Sequence, residues 1–284
     1  MKDKTVTGVG WSAADAFLGQ GVTFLVGLVL AHILSPTEYG LIGIITIFTT
    51  ILAGFVDCGF SSALIRKKEV SNDDYNTMFI TNMVFSIIMA LLLYFGAPLI
   101  GRFFMRPELL WPTRAMSLLL IFQALSITQV TVLAKRIDFK TKTKASLISS
   151  VLSGVIGIAM ALLGFGVWSL VCQLLSRQLI LTVCLWIFNR WWPNFSFSKS
   201  SFSYMWGFGW KLMLSGFLDR LWGQAYQAVV GKFYSPSTLG QYTKSKELGH
   251  ILSSNFTSII QRVSFPVLAD LKTDTLNDTG EVGG

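Results

Sequence analysis

The sequence predicts an all-α membrane protein in which about eight helices cross the bilayer. Its 284 residues are 52% hydrophobic and only 13% charged, about half the charged share of a typical soluble domain. The mean hydropathy is +0.57. Apolar runs of roughly 20 residues, the length that crosses the hydrocarbon layer as a helix, recur along the chain, and the alternation typical of barrel strands is missing.

Short loops join these apolar runs. The longest, 189–206, is too short for a soluble domain, so we expect any function to reside within the membrane. The first run contains Asp15 and is followed by no small-residue cleavage pattern, which favours a span over a signal peptide. The predicted spans cover residues 8–34, 41–65, 78–100, 112–134, 145–163, 167–188, 207–230 and 244–265.

The net charge of +8 is distributed as a topology signal. Basic residues cluster near Lys2, in Arg66 to Lys68, between Lys135 and Lys144, and near Arg190, which are loops on the same side of successive spans. The positive-inside rule makes this side cytoplasmic, together with the N-terminus. Basic clusters between apolar runs argue against nucleic acid as a partner.

A stretch near the N-terminus recurs about 200 residues later. The first copy runs from Gly10 to Gly40 and the second from Gly209 to Gly240; each opens with Gly-Trp and ends after a Ser-Pro pair. Six spans separate the copies, so both Ser-Pro turns fall on one side and the repeats run parallel, one recurring transporter plan. A generic helix-exit signal used twice is the alternative explanation.

This repeat predicts the domain organisation. We expect a complete six-helix lobe in 1–188, an interfacial cytoplasmic linker in 189–206 and the first two helices of a second, parallel-repeat lobe in 207–271. Residues 272–284 are polar and are expected to form a disordered tail.

Polar side chains within the spans are the candidate substrate-binding residues, because ionisable groups there usually face a bundle interior or a water-filled cavity. Their chemistry suits a phosphate-bearing ligand, since arginine has a planar donor fork. A local or interhelical ion pair that only holds the bundle remains an open alternative for the arginines. The cavity candidates are Arg177, Arg220, Lys211, Gln173, Gln224 and Gln227.

Acidic residues and a histidine in the spans are the candidates for ion coupling. An interfacial position is an alternative for Asp57, ion pairing for Asp219, and simple polar packing for the histidine. Arg177 is expected to pair with an acid such as Asp15 or Asp57, or to face an anionic ligand. The ion-coupling candidates are Asp15, Asp57, Asp219, Glu247 and His250.

Catalytic, metal and cofactor sites are not expected. The chain has no Gly-rich phosphate loop that ends in Gly-Lys-Ser/Thr, and it has only two histidines. Its three cysteines lie in apolar runs without metal or redox spacing, so we interpret them as packing residues.

Several stretches together form a family pattern. They are Gly10-Trp11-Ser12, Leu34-Ser35-Pro36-Thr37-Glu38-Tyr39-Gly40-Leu41, Asp57-Cys58-Gly59-Phe60-Ser61-Ser62-Ala63-Leu64-Ile65, Gly166-Val167-Trp168-Ser169-Leu170-Val171, Leu239-Gly240-Gln241-Tyr242 and Phe265-Pro266-Val267-Leu268. The chain resembles the Wzx-type polysaccharide flippases, the polysaccharide transporter family of the multidrug/oligosaccharidyl-lipid/polysaccharide exporter superfamily, and within it the colanic acid exporter-like subgroup. The resemblance extends to about Leu271.

The resemblance implies a transporter of the bacterial inner membrane. Such a protein moves undecaprenyl-pyrophosphate-linked oligosaccharides to the periplasmic leaflet for lipopolysaccharide, capsule or exopolysaccharide synthesis, by alternating access of two six-helix lobes. Lipid-linked oligosaccharide, membrane lipids and other polysaccharide-assembly proteins are the implied partners. Basic cavity residues would neutralise the pyrophosphate, a role that suits Arg177, Arg220 and Lys211 in kind.

Against the family pattern, the chain ends two spans into the second lobe, so we expect a C-terminally truncated form. An inactive remnant and a multidrug-type exporter of the same superfamily are therefore alternatives. A membrane enzyme of the same pathway would be expected to have a large outer loop with catalytic arginines, and none is present, so no enzymatic activity is expected.

Overall fold

Residues 19–194, 196–246 and 249 are described by a computed structural model of the chain, and in these residues the regular structure is helical, with no strand. A 3₁₀ turn at Pro107–Leu109 precedes the fifth helix, and the last helix, α9, begins at residue 236 and is described to 246. The other helices are α1 (Gln20–Ile33), α2 (Pro36–Val56), α3 (Phe60–Arg66), α4 (Asn72–Phe103), α5 (Leu110–Lys135), α6 (Phe139–Leu162), α7 (Val167–Asn189) and α8 (Lys199–Phe233).

Five segments of the described chain are long and apolar enough to cross a membrane. They are Pro36–Arg66, Asn72–Phe103, Pro107–Lys135, Phe139–Leu162 and Val167–Asn189, which are the second to sixth predicted spans. The multispan helical fold is therefore confirmed, and the chain is a multi-pass membrane protein.

The first, seventh and eighth predicted spans do not meet this standard of length and apolarity within the described residues. The described part of the first span is a shorter apolar helix, and most of the eighth span lies outside the described residues. Helix α8 has 35 residues but does not reach the same apolar standard. The physical reason is that Lys211, Asp219 and Arg220 interrupt its apolar sequence.

Side-chain caps explain where several helices begin. Ser35 Oγ accepts a hydrogen bond from the Glu38 amide, and the Glu38 carboxylate accepts one from the Ser35 amide at 2.7 Å, which forms a capping box at the start of α2. Ser71 and Asp74 form the same box at the start of α4. In the second repeat Ser235 Oγ accepts from the Thr238 amide at 3.2 Å.

The helices pack into a bundle with an apolar exterior. The pairs α6 with α7, α4 with α5 and α5 with α7 pack most extensively, whereas α8 packs on α2, α3 and α4. Ile45, Leu120 and Val171 are fully buried in the main core. On the outside Phe95 and Leu162 are each 70% exposed, as expected where lipid replaces water as the solvent.

The segment between α7 and α8 is bound to the bundle by hydrogen bonds. Asn76 Nδ2 donates to Ser196 Oγ at 2.9 Å, the Ser198 amide donates to Thr77 Oγ1 at 3.0 Å, and Gln129 Nε2 donates to the Trp191 carbonyl at 2.9 Å. Helix α8 then begins at Lys199, within the range 189–206 that the sequence interpretation treats as linker. These hydrogen bonds hold the segment that precedes α8 against α4 and α5.

Candidate functional site between the two repeats

The second membrane-length segment is interrupted within its length. Helix α2 ends at Val56, Cys58 and Gly59 have φ of 51° and 73°, and α3 begins at Phe60. Non-helical backbone at membrane depth is tolerated where it is buried in protein or lines a cavity. Asp57, at this break, therefore needs partners supplied by the protein.

Helices α3 and α5 supply some of the partners that Asp57 needs. The Asp57 carboxylate accepts a hydrogen bond from the Ser61 amide at 3.2 Å and from Ser61 Oγ at 2.6 Å. Thr131 Oγ1 of α5 lies 3.0 Å from the same Ser61 hydroxyl and donates to it. Asp57 thus binds an amide in the first turn of α3 and is connected through Ser61 to α5.

Helix α8 runs antiparallel to α2 and α3 along a line of contact that we call the inter-repeat seam. A Cβ on Gly59 would lie 2.6 Å from the Gly209 carbonyl oxygen at one end. Further along, the rings of Phe55 and Phe217 are 5.0 Å apart. Glycines allow this close backbone approach, as in other membrane helix pairs.

Arg220 crosses the seam to the interruption. A Cβ on Gly54 would collide with the Arg220 guanidinium, so the arginine lies directly on the α2 backbone one turn before Asp57. Arg220 is half-buried, and its charge acts on the Asp57 carboxylate less strongly than the two Ser61 hydrogen bonds do. The two side chains do not form an ion pair within 4.0 Å, so the seam holds a cation near Asp57 without direct contact between the charges.

The other candidate site residues of α8 lie either in the seam or on the surface. Gln227 is buried, 4% exposed, and its Nε2 donates to the Gly43 carbonyl at 2.9 Å, so its amide joins α8 to α2. Gln224 is half-buried, one turn from Arg220. Lys211 and Asp219 are exposed. Neighbouring residues of a helix face different directions, which separates Asp219 from Arg220.

The predicted residues of α7 lie on a different helix pair. A Cβ on Gly157 of α6 would be 2.9 Å from Cβ of Gln173, so the Gln173 stem packs on α6. Arg177 is half-buried one turn further along α7. The expectation that Arg177 either pairs with an acid such as Asp15 or Asp57 or faces an anionic ligand stays a prediction.

Three ion-coupling candidates, Asp15, Glu247 and His250, lie outside the described residues. Within the described part of the chain, no group of three or more His, Cys, Asp or Glu side chains could hold a metal ion.

Several polar residues of the spans were missed by the sequence interpretation. The guanidinium carbon of Arg114 lies 4.8 Å from the centre of the Tyr94 ring. Asn82 is fully buried, and its side-chain amide has no hydrogen-bond partner among the described residues. Both occur inside predicted spans, so the signal that selected Arg177 was present for them as well.

Two of the sequence stretches that carry the family pattern meet at the ends of the helices. A Cβ on Gly166, which precedes α7, would lie 2.6 Å from Glu38 Oε1. The same carboxylate closes the capping box of α2. Glu38 therefore links the Ser-Pro turn of the first repeat to the start of α7, which accounts physically for both stretches.

The fold matches solved transporters of the MOP superfamily. An inward-facing multidrug resistance MATE family transporter superposes with a TM-score of 0.53 at 16% identity, covering 89% of this chain and 63% of that one. A MOP superfamily transporter from Pyrococcus furiosus superposes with a TM-score of 0.56 at 14% identity, covering 92% and 70%. At these identities the likeness shows the fold alone.

The chain belongs to the polysaccharide biosynthesis protein family, whose profile matches residues 29–279. Its curated relatives include the succinoglycan biosynthesis transport protein ExoT of Rhizobium meliloti, 29% identical over 95% of this chain and 55% of the relative. The teichuronic acid biosynthesis protein TuaB of Bacillus subtilis is 25% identical over 94% and 56%. The lipopolysaccharide biosynthesis protein WzxC of Escherichia coli is 22% identical over 97% and 56%.

These matches confirm the resemblance to polysaccharide transporters. The chain spans about half the length of the curated relatives that it matches.

Proposed function

We propose that this chain supplies the first lobe and the start of the second lobe of a flippase for lipid-linked oligosaccharides. The substrate would be an undecaprenyl-pyrophosphate-linked repeat unit that crosses the bacterial inner membrane for lipopolysaccharide, capsule or exopolysaccharide assembly. Membership of the polysaccharide biosynthesis family supports the substrate class. The names of the relatives, which refer to succinoglycan, teichuronic acid and lipopolysaccharide, favour a glycan cargo.

One observation carries the mechanistic part of the proposal: Arg220 lies on Gly54 beside Asp57 in the inter-repeat seam. Without substrate, the carboxylate offsets the charge of the guanidinium. A pyrophosphate head group offers more acceptor oxygens than one carboxylate and fits the arginine fork. Substrate would therefore compete with Asp57 for Arg220, and the change of partner would loosen the seam.

Asp57 then becomes the ion-coupling residue of this site. When Arg220 turns to the substrate, the freed carboxylate must be neutralised by a proton or a cation, because an unpaired charge at membrane depth is costly. The Ser61 and Thr131 hydroxyls keep the carboxylate in place during the exchange. Arg177, Gln173 and Gln224 are proposed to contact the sugar or the second phosphate.

The proposed topology follows the basic loops. Arg66, Lys67 and the run from Lys135 to Lys144 would face the cytoplasm together with the N-terminus, and the Ser-Pro turns would face the periplasm. The substrate thus meets the basic end first. Lys211 is exposed on α8 and would attract approaching head groups.

Complementation tests the proposal. The chain and, separately, an extended version with the remaining spans of a relative are expressed in a flippase-null strain, and surface polysaccharide is quantified. We expect the extended protein to restore export, Arg220→Lys to retain part of it and Arg220→Ala to lose most of it. Equal tolerance of both substitutions would contradict the role of the Arg220 charge.

A second readout separates glycan transport from drug export. The same strains are tested for resistance to cationic drugs. Drug resistance without surface polysaccharide, from a protein shown to be inserted in the membrane, would replace the flippase proposal with the multidrug alternative.

A further inference from the structure

At the Ser-Pro ends of the two repeats, the backbone of each repeat packs against the backbone of the other. A Cβ on Gly40 would collide with the Pro236 carbonyl, and a Cβ on Gly240 would collide with the Pro36 carbonyl. Each glycine therefore lies on the proline backbone of the other repeat. This is the self-complementary contact expected about a two-fold axis, here inside one chain.

The crossing continues for one further turn. A Cβ on Gly43 of α2 would lie 2.7 Å from Thr243 Oγ1 of α9. At Gly40 and Gly240 the nearest atoms that a Cβ would meet are backbone atoms of the facing proline, whereas at Gly43 they belong to side chains. A side chain at position 40 or 240 must therefore push α2 and α9 apart at this end.

Two lysines bind the same end of the seam from either side. Lys232, in the last turn of α8, donates to the carbonyl of Phe103, the last residue of α4, and its ammonium lies 4.4 Å from the centre of that ring. Lys244 of α9 donates to the Ala31 carbonyl of α1 at 3.2 Å and lies 4.1 Å from the centre of the Tyr39 ring.

The two contacts have the same chemistry. Both lysines follow the start of the second repeat, and both acceptors are carbonyls in the last turn of a first-lobe helix. The last four carbonyls of a helix have no partner within it, and this end of the helix dipole favours a cation. A lysine from one lobe thus completes a helix end of the other lobe.

We propose that Lys232 and Lys244, with the Gly40 and Gly240 crossing between them, form a latch that keeps the Ser-Pro end of the seam closed. The assignment of this end as the periplasmic gate rests on the proposed function. Water can replace the lysine at each carbonyl when the end opens, so the latch holds without making opening prohibitive. The glycine crossing packs the two backbones closely, and the lysines form hydrogen bonds that can break when this end opens.

Cysteine labelling tests the latch. Cys58, Cys172 and Cys184 are replaced by serine, and Thr243→Cys is introduced in the crossing as the reporter. A membrane-impermeant maleimide is applied to spheroplasts and, separately, to inverted vesicles, with no substrate added. The variants are Gly40→Ala, Gly240→Ala and the double variant Lys232→Met, Lys244→Met.

Matched controls separate the latch from helix propensity and net charge. A Cβ on Gly96 meets nothing within 4 Å, so Gly96→Ala changes the propensity of a helix without a collision. Lys142→Met removes a positive charge in the first two turns of α6, at the basic end of the chain.

We expect labelling of spheroplasts to rise about tenfold for each latch variant, the effect of a modest population shift, and to stay unchanged for both controls. Latch variants that label like Gly96→Ala would overturn the proposal. A rise confined to inverted vesicles would overturn its periplasmic assignment. Because no transport is measured, a flippase that fails complementation while its latch variants label faster would refute the proposed function and leave the latch standing.

Discussion

The two ends of the inter-repeat seam are built on different principles. At the Ser-Pro end the contact is symmetric, since Gly40 lies on Pro236 and Gly240 lies on Pro36. At the interruption it is asymmetric, because the break after α2 contributes the Asp57 carboxylate and α8 contributes Arg220.

This difference separates two kinds of contact in the seam. The symmetric contact joins backbones and needs only small residues. The asymmetric contact brings together side chains of opposite charge, and each depends on the other. We therefore expect variants at the symmetric end to change gating, and variants at the asymmetric end to change stability and substrate recognition together.

The largest effect on stability is expected at Gly59. A side chain there has to adopt φ of 73° and would meet the Gly209 carbonyl at 2.6 Å. Gly59→Ala should destabilise the bundle by about 2 to 4 kcal/mol, from backbone strain and overpacking together. Thermal unfolding in detergent measures the loss, and an unfolding temperature equal to that of Gly96→Ala would contradict the close approach.

The second largest effect on stability is expected from the electrostatic coupling of Arg220 with Asp57. Arg220→Ala leaves the half-buried carboxylate without its cation and should cost about 1 to 3 kcal/mol. Asp57→Asn in the same chain should recover much of the loss because the unpaired charge is gone. A double-mutant cycle on unfolding temperature checks this, and additive effects of the two substitutions would show that the residues do not interact.

The capping box of the first repeat should contribute less to stability than the coupling of Arg220 with Asp57. Glu38→Ala removes the hydrogen bond to the Ser35 amide and the contact with Gly166, and we expect a loss of about 1 kcal/mol, the usual value of a cap. Glu38→Gln keeps an acceptor and should lose less. Thr238 in the second repeat is the matched comparison, because Thr238→Ala removes the hydroxyl contact with Ser235 at 2.9 Å but keeps the backbone amide that donates to Ser235 Oγ.

The smallest effect is expected at Thr131. Thr131→Val removes one hydrogen bond to Ser61 at constant shape, so unfolding should become easier by only about 0.5 to 1.5 kcal/mol. Transport, however, should slow more than stability suggests, since the hydroxyl helps to hold Asp57. Equal residual transport in Thr131→Val and in a control such as Gly96→Ala, where the added Cβ meets nothing within 4 Å, would argue against this positioning role.

Hydropathy was sufficient to predict the second to sixth spans, because length and composition alone decide whether a helix can cross the bilayer. It could not predict the break at Asp57, since averaging over a window hides three non-helical residues between apolar neighbours. The start of α8 was also missed. Ser198 caps this helix and Lys199 opens it before the apolar part, so a capping pattern was the better signal there.

For the site, the sequence supplied the kinds of residue but not their partners. Arg220 and Asp57 were both selected because ionisable groups in spans are rarely incidental. Which arginine approaches which acid depends on the rotation and depth of each helix, and packing of α8 against α2 decides both. Gln227 illustrates the same limit, because it has the spacing of a cavity residue and is bonded to the Gly43 carbonyl.

Binding of a short-chain polyprenyl pyrophosphate to the detergent-purified protein tests the central claim most directly. Isothermal titration would compare the parent chain with Arg220→Ala and Asp57→Asn. If the pyrophosphate and Asp57 compete for Arg220, Arg220→Ala must weaken binding and Asp57→Asn must strengthen it. Weaker binding in both variants, or no change in either, would contradict the exchange of partners at the seam.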